Sequence, residues 1–316
     1  MRIDPYGDSQ GIVEMMEMTY RRRKSKKVLP KVCLLLIISI VGLNMLRRQS
    51  LSYEYDSENI AHAQTEYTEA EYYAVEPSIA INVSEITDTG YLKLINRENS
   101  FDGEPNNKPI VSAWPTVPVR VTTITIHETA LQAIAEMFDS ARSDDVGTFF
   151  VSSGFRSYTE QRDVYQSISD KSLVMPPGHS EHHTGLAADI LAVGIPQFEM
   201  AASQAGRWLA ENSWRYGLIL RYPEGTHHIT GVAYEPWHFR YVGRVHAWYM
   251  HQHSLVLEEY LEFLQESGGF SAEFDGRVYY ILHQVPNDSM IHTPDGLNFN
   301  ISSDNKGGYI ITAWEW

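Results

Sequence analysis

The sequence SEHHTGLAAD occupies residues 180–189, and EPWH follows at residues 235–238. Together the two stretches supply imidazoles, a carboxylate ligand and a spare glutamate. A catalytic zinc centre needs three such protein ligands, an open position for water and a nearby base. Each stretch alone is a weak signal, because an isolated His–Asp pair is more often a structural hydrogen bond. In combination they indicate a catalytic metal site.

Local structure around the first stretch follows from its alternation. Residues 186–190 predict a strand whose even-numbered side chains face the core, with Ala187 and Asp189 on the opposite face. Small Ala187 leaves room for a metal beside the Asp189 carboxylate. Gly185 permits the bend that brings His182 back toward Asp189 from the preceding loop. In the second stretch, proline disfavours a helix interior, so we expect an extended or turn segment.

Helices and strands are mixed on either side of this motif. Apolar spacing and capping residues predict helices over about 127–142, 158–169 and 197–216, and one or two more between His246 and Leu264. Strands are predicted at 149–151, 218–220, 278–285 and 309–314. No regular βαβ alternation is present, which favours an α+β fold with a small, mostly antiparallel sheet and flanking helices.

Charge is distributed unevenly along the 316 residues. Residues 1–48 hold ten Lys/Arg and four Asp/Glu, a net charge of +6. The remainder holds fifteen Lys/Arg and thirty-six Asp/Glu, a net charge of -21. The acidic body argues against nucleic acid as a partner, since phosphate binding requires clustered basic residues. Cys33 is the single cysteine, so a disulfide within one chain is impossible.

The N-terminal fifth predicts membrane attachment. A basic tail over 1–27 precedes the apolar segment 28–46, which we interpret as a single-pass signal anchor with the following domain outside the cytoplasm. A cleaved signal peptide is the alternative, although Arg47 and Arg48 do not offer a cleavage site of small residues. Residues 47–90 are acidic and lack sustained periodicity, which predicts a solvated linker.

The two stretches and their surroundings resemble the VanY-type D-alanyl-D-alanine carboxypeptidases of the M15 (M15B) zinc peptidase family. The resemblance extends to SSGFRSY at residues 152–158, LRYP at residues 220–223 and YEPWHFRYVG at residues 234–243. It covers about residues 91–265, which are therefore the expected zinc carboxypeptidase domain with a Hedgehog/DD-peptidase-like fold. Residues 266–316 remain as a β-rich C-terminal extension without an assigned role.

The resemblance implies a role for each matching residue. His182, Asp189 and His238 would bind one Zn²⁺ per chain, Glu235 would be the catalytic base, and Arg156 would bind the terminal carboxylate of the substrate. Supporting substrate contacts are expected from Ser153, Gln161 and Ser180. The expected activity is removal of the terminal D-alanine from peptidoglycan stem pentapeptides. His179 and His183 adjoin the metal segment but are not expected to be ligands.

Other activities stay open on the sequence alone. An L,D-carboxypeptidase acting on tetrapeptide stems shares the same motifs, and an endopeptidase that cuts cross-links is a further variant. Arg156 argues against the endopeptidase because it suits a free C-terminus. An alternative from another functional class is a non-catalytic peptidoglycan-binding module with structural zinc. Glu235 argues against that reading, because a structural site does not need a base.

Overall fold

The computed structural model describes residues 77–101, 110–169, 171 and 174–315, and these form twelve β-strands and six α-helices. The strands are β1 (Pro77–Asn82), β2 (Ile110–Ser112), β3 (Thr125–His127), β4 (Phe149–Ser153), β5 (Ala187–Ala192), β6 (Leu218–Leu220), β7 (His238–Tyr241), β8 (Gly269–Phe274), β9 (Arg277–Gln284), β10 (Met290–Pro294), β11 (Asn298–Ser303) and β12 (Tyr309–Trp314). The helices are α1 (Glu128–Ser143), α2 (Tyr158–Ser167), α3 (Gln204–Asn212), α4 (His227–Thr230), α5 (Arg244–His253) and α6 (Leu257–Ser267).

A four-stranded antiparallel sheet, ordered β4-β5-β7-β6, carries both motif stretches. One face of this sheet buries Ala188 and Ile190 in a core that includes Ile134 and Phe138 of α1. The opposite face carries Asp189, which β5 projects away from that core because strand side chains alternate. The predicted strand, its two faces and the mixed, mainly antiparallel architecture are thus confirmed.

The predicted helices are present in the structure, except around residue 203. Helix α1 matches the prediction, and α2 begins with the expected capping box, in which Ser157 and Glu160 cap each other. The single helix predicted over 197–216 is wrong. It consists of a 3-10 helix, α3 and a second 3-10 helix. Ser203 starts a new helix there, because its hydroxyl accepts a hydrogen bond from the Gly206 amide at 2.9 Å.

The C-terminal extension is a second antiparallel sheet, ordered β11-β12-β9-β8. It packs against α5 and α6 through a core that includes Trp248, Tyr260 and Ile310. His246 of α5 joins these layers, because its ring bonds the Tyr260 hydroxyl at 2.6 Å and the Thr312 hydroxyl at 2.8 Å. Burial lowers the pKa of His246 to about 3. The structure has five strands in the described part of this region, of which β8, β10 and β11 were not predicted from the sequence pattern.

The folded region begins before residue 90. Strand β1 pairs with β10, and Ile81 packs beside buried Ile291 and Ile301. The predicted acidic linker over 47–90 therefore overlaps an ordered strand at its end. Among the residues described, no helix combines the length and apolar character needed to cross a bilayer. The predicted basic tail (1–27) and anchor (28–46) lie outside the described residues.

Candidate metal and catalytic site

The three predicted ligands come together on one face of the central sheet. The register between β5 and β7 places Asp189 directly opposite His238. His182 approaches from the 3-10 helix Glu181–Thr184, which leads into β5. One possible donor atom from each of the three side chains lies within 4.8 Å of the others. Two imidazoles and one carboxylate at this spacing are a suitable donor set for a divalent metal.

Two glycines allow His182 to reach its position. Gly185 ends the 3-10 helix with φ of +71°, and a Cβ there would lie 2.3 Å from the Ile110 Cδ1. Gly154 lies so close to β3 that a Cβ would lie 2.4 Å from the Thr125 carbonyl oxygen. The His182 Nδ1–H donates to the Gly154 carbonyl at 2.7 Å, which leaves Nε2 3.5 Å from an Asp189 oxygen.

His238 lies between two carboxylates. Its Nδ1 is 3.0 Å from the Asp189 Oδ1, and its Nε2 is 3.4 Å from the Glu181 Oε2. Glu181 is fully buried, and its Oε1 accepts a hydrogen bond from the Arg221 Nε at 2.8 Å. The Arg240 Nη1 lies 3.2 Å from the same oxygen. These three charged residues were not predicted from the sequence to belong to the site. Arg221 could have been singled out from the sequence, because it directly follows an apolar strand.

Charges in this region are strongly coupled. Burial would raise the pKa of Asp189, but the two imidazoles outweigh it and hold that pKa well below its usual range. Burial opposes protonation of His238 as well, yet its bonds to Asp189 and Glu181 raise its pKa to about 9. Burial lowers the pKa of His182, and the charge of Arg156 lowers it further. Asp189 and Glu181 are thus kept charged, and they favour a positive charge on His238 between them.

Glu235 lies beside the ligands in a tight turn. The His238 amide donates to the Glu235 carbonyl at 3.1 Å, and the Glu235 amide donates to the Tyr222 carbonyl at 3.1 Å. This turn confirms the non-helical conformation that proline predicted. The Glu235 Oε2 is 3.9 Å from the His238 Nδ1, and 23% of the side chain remains exposed, so a substrate can reach it. Burial is the main reason that its pKa is raised to about 7.

Arg156 lies in the loop that follows β4 and is held at several points. Its Nη2 donates to the Ser153 hydroxyl at 3.0 Å, and its Nη1 donates to the Gln161 Oε1 at 2.6 Å. Its amide donates to the His182 carbonyl at 3.1 Å. Ser153 in turn lies opposite Asp189 in the register between β4 and β5. The guanidinium is therefore fixed relative to the metal ligands.

The remaining predicted residues differ in their surroundings. Gln161 is almost fully buried, and its side-chain oxygen accepts a hydrogen bond from Arg156. Ser180 is buried at the start of the 3-10 helix and makes no capping bond with its side chain. Their direct contact with substrate stays a prediction. His183 is buried, accepts a hydrogen bond from the Gly178 amide through Nε2, and donates from Nδ1 to the Arg156 carbonyl at 2.6 Å. It lies outside the group of three ligands, as does His179.

Comparison with known proteins gives the same family on sequence and on structure. A family model described as VanY: D-alanyl-D-alanine carboxypeptidase matches residues 123–244. The D-alanyl-D-alanine carboxypeptidase of Enterococcus faecium is 39% identical over 184 residues, which are 58% of this chain and 59% of that protein. The match thus spans less than two thirds of that relative.

Two solved structures are also similar. The vancomycin resistance D,D-dipeptidase VanXYg, in complex with a D-Ala-D-Ala phosphinate analog, has a TM-score of 0.65 and 27% identity over 75% of this chain and 98% of its own. The LdcB LD-carboxypeptidase has a TM-score of 0.50 and 33% identity over 55% of this chain and 86% of its own. By these likenesses and the motif residues gathered at the site, this chain belongs to the VanY family of D-alanyl-D-alanine carboxypeptidases.

Proposed function

We propose that this chain is a zinc-dependent D-alanyl-D-alanine carboxypeptidase that removes the C-terminal D-alanine from peptidoglycan stem pentapeptides. The observation that carries the proposal is the placement of Glu235 beside the converging His182, Asp189 and His238 side chains. Family membership and the D-alanyl-D-alanine carboxypeptidase of Enterococcus faecium support the substrate class.

Zinc fits the residues present. His182 and His238 offer nitrogen donors and Asp189 offers an oxygen donor, a mixed set typical of catalytic zinc sites that leave one position open. When bound, zinc supplies Lewis acidity for activating water and for polarising a carbonyl group. The three ligands would hold it next to Glu235, on the face of the sheet that carries Asp189.

Glu235 would move the proton during hydrolysis. Its raised pKa, about 7, suits a group that must accept a proton and return it near neutral pH. The Oε2 atom would take the proton from the attacking water and deliver it to the amine of the departing D-alanine. The turn that bonds the Glu235 amide to the Tyr222 carbonyl fixes the position of this carboxylate.

Arg156 would recognise the end of the peptide. A planar guanidinium binds a carboxylate through two parallel hydrogen bonds, which lysine cannot reproduce. Ser153 and Gln161 hold the Arg156 side chain, so its position is set before the substrate arrives. Recognition of a free carboxylate explains why the terminal residue, rather than an internal bond, would be cleaved.

An L,D-carboxypeptidase acting on tetrapeptide stems is the second candidate. The 33% identity to the LdcB LD-carboxypeptidase, over 86% of its chain, favours it. Both activities use the same metal, base and carboxylate-binding residue. They differ in the configuration of the residue before the cleaved bond, so the substrate preference separates them.

Release of D-alanine from synthetic pentapeptide and tetrapeptide tests the proposal. We expect zinc-dependent release from the pentapeptide, loss of release on chelation, and a loss of about 10²–10⁴-fold in kcat for Glu235→Gln. Faster release from the tetrapeptide would establish the second candidate instead. Equal rates for wild type and Glu235→Gln would contradict the catalytic role, and a zinc-bound inactive protein would support the binding-module alternative.

We further propose that the chain is anchored in the cell membrane by residues 28–46, with the described domain outside the cytoplasm. The basic tail before this apolar segment supports that orientation. Membrane fractionation of cells that express the full chain, followed by protease treatment of intact spheroplasts, tests both points. Recovery of the chain in the soluble fraction would contradict anchoring.

A further inference from the structure

We propose that Glu181 is a positioning residue for the metal site, which orients the His238 ring so that Nδ1 faces the metal position. Arg221 and Arg240 hold the Glu181 carboxylate in place. This inference rests on the proposed zinc site, and it assigns a task to the glutamate that immediately precedes the ligand His182.

The two ligand histidines offer different nitrogens. A carbonyl oxygen only accepts hydrogen bonds, so the contact with Gly154 places the proton of His182 on Nδ1 and leaves Nε2 as the donor atom. His238 has the opposite orientation, because its Nδ1 faces Asp189 and its Nε2 faces Glu181. Metal binding through Nδ1 therefore requires a partner that keeps the remaining proton on Nε2.

Glu181 can act as that partner because two arginines pair with its carboxylate and hold it in place. A buried carboxylate is costly unless it is paired. The side chain is fully buried, with the Arg221 Nε at 2.8 Å and the Arg240 Nη1 at 3.2 Å from the same oxygen. The second oxygen, Oε2, is thereby left for His238.

The two arginines are themselves anchored in different parts of the fold. Arg221 donates to both oxygens of Glu258 near the start of α6, at 2.8 and 2.7 Å. The Arg240 Nη2 donates to the Gly90 carbonyl at 3.0 Å and to the Tyr91 carbonyl at 3.2 Å. Since both guanidiniums are fixed, the Glu181 carboxylate cannot rotate away from His238 without losing its partners.

Wild-type protein provides the first test. We expect nitrogen-15 NMR of the zinc-bound, histidine-labelled chain to show His238 protonated at Nε2 and coordinated through Nδ1, with the reverse arrangement at His182. Single substitutions of each histidine assign the signals. Coordination of His238 through Nε2 would overturn the inference, whereas failure of the wild type to bind zinc would overturn the proposed function.

Zinc affinity of variants provides the second test. Glu181→Asp keeps the charge that the arginines require but withdraws the carboxylate from His238 by one methylene, and Glu181→Gln removes the charge. Loss of such an outer partner typically weakens metal binding about 10–100-fold. We expect losses of this size for both variants when zinc is titrated against a chromophoric chelator, together with a mixed tautomer signal for His238.

A matched control is available in the C-terminal sheet. The Asp304 carboxylate is buried and lies 3.0 Å from the His283 Nε2, so Asp304→Asn also disrupts a buried carboxylate–histidine contact. This control should lose stability but keep the wild-type zinc affinity. Glu181 variants that bind zinc within twofold of wild type would contradict the inference. Should Glu181→Gln fail to fold, Glu181→Asp still decides, because it keeps the charge that the two arginines require.

Discussion

At the scale of single residues, Arg156 is the side chain that we propose to set the specificity of this site. Its guanidinium already bonds Ser153 and Gln161, so a substrate carboxylate would meet a group that is held in position. Lysine at this position would keep the charge but lose the planar pair of donors. The geometry of the side chain, and not its charge alone, is therefore expected to determine binding.

Arg156→Lys tests that expectation. A hydrogen bond to a charged group contributes about 1.5–3 kcal/mol, so we predict that KM for the pentapeptide rises about 10–100-fold, with a smaller change in kcat. Steady-state kinetics of D-alanine release measures both quantities. Arg162→Lys, on the exposed part of α2, is the control and should behave as wild type. An unchanged KM in Arg156→Lys would contradict carboxylate recognition by Arg156.

The pH dependence of activity should follow Glu235. Burial raises the pKa of this carboxyl to about 7 in the metal-free protein, and a bound cation lowers it again. Because a base must be deprotonated, we predict that kcat/KM rises with pH along an acid limb with an apparent pKa at or below about 7. Profiles measured between pH 4.5 and 9 reveal this limb. A profile that is flat down to pH 4.5 would argue against Glu235 as the base.

At the scale of elements, the site depends on close contact between the loop after β4 and strand β3. Gly154 is the contact point, and its carbonyl accepts the hydrogen bond that orients His182. A Cβ at this glycine would lie 2.4 Å from the backbone oxygen of Thr125, which no side-chain movement can relieve. The metal ligand and the packing of two elements are thus coupled through one residue without a side chain.

Gly154→Ala should therefore damage stability and metal binding together. Overpacking typically costs about 1–3 kcal/mol, and we predict a loss of unfolding free energy in that range together with weaker zinc binding. Denaturant unfolding and zinc titration measure the two effects. Gly194→Ala is the control for zinc binding, because a Cβ at that position would meet nothing within 4 Å. Its φ of +80° still adds backbone strain, so the two variants are compared by their zinc affinity. Normal zinc affinity in Gly154→Ala would show that the contact between this loop and β3 does not determine the position of His182.

At the scale of the whole folded region, buried ionisable groups outside the catalytic site predict sensitivity to acid. Burial lowers the pKa of His246 from its ordinary 6.5 to about 3, so the folded state favours the neutral ring. The unfolded chain then binds more protons as the pH falls below 6.5, and stability is lost in that direction. Asp304 contributes with the same sign, because its contacts with His283 and with backbone amides outweigh burial and lower its pKa.

Thermal unfolding of the chelated protein checks this prediction. We expect wild type to lose stability relative to His246→Gln as the pH falls from about 6.5 to 4, since glutamine does not titrate. Chelation removes the metal from the comparison. The same dependence of the midpoint on pH in wild type and His246→Gln would show that His246 does not contribute to acid sensitivity.

The residues of the candidate site were predictable from local sequence. His182, Asp189, Glu235 and His238 could be selected because each donor type has a fixed preference for metal or proton, and spacing along a strand or turn is a local property. For the same reason, β5, α1 and α2 were predictable from alternation, apolar spacing and capping. Arg156 followed from the resemblance of its segment to a known family.

The partners that support those residues could be identified only in the folded chain. Glu181 is separated from Arg221 by 40 positions, and β1 from β10 by more than 200, so no local pattern links them. Charged residues usually indicate surface, and only the folded chain shows that Glu181, Arg221 and Arg240 are buried together. Their position depends on strand register and on the close approach of distant segments, which are properties of packing and not of sequence spacing.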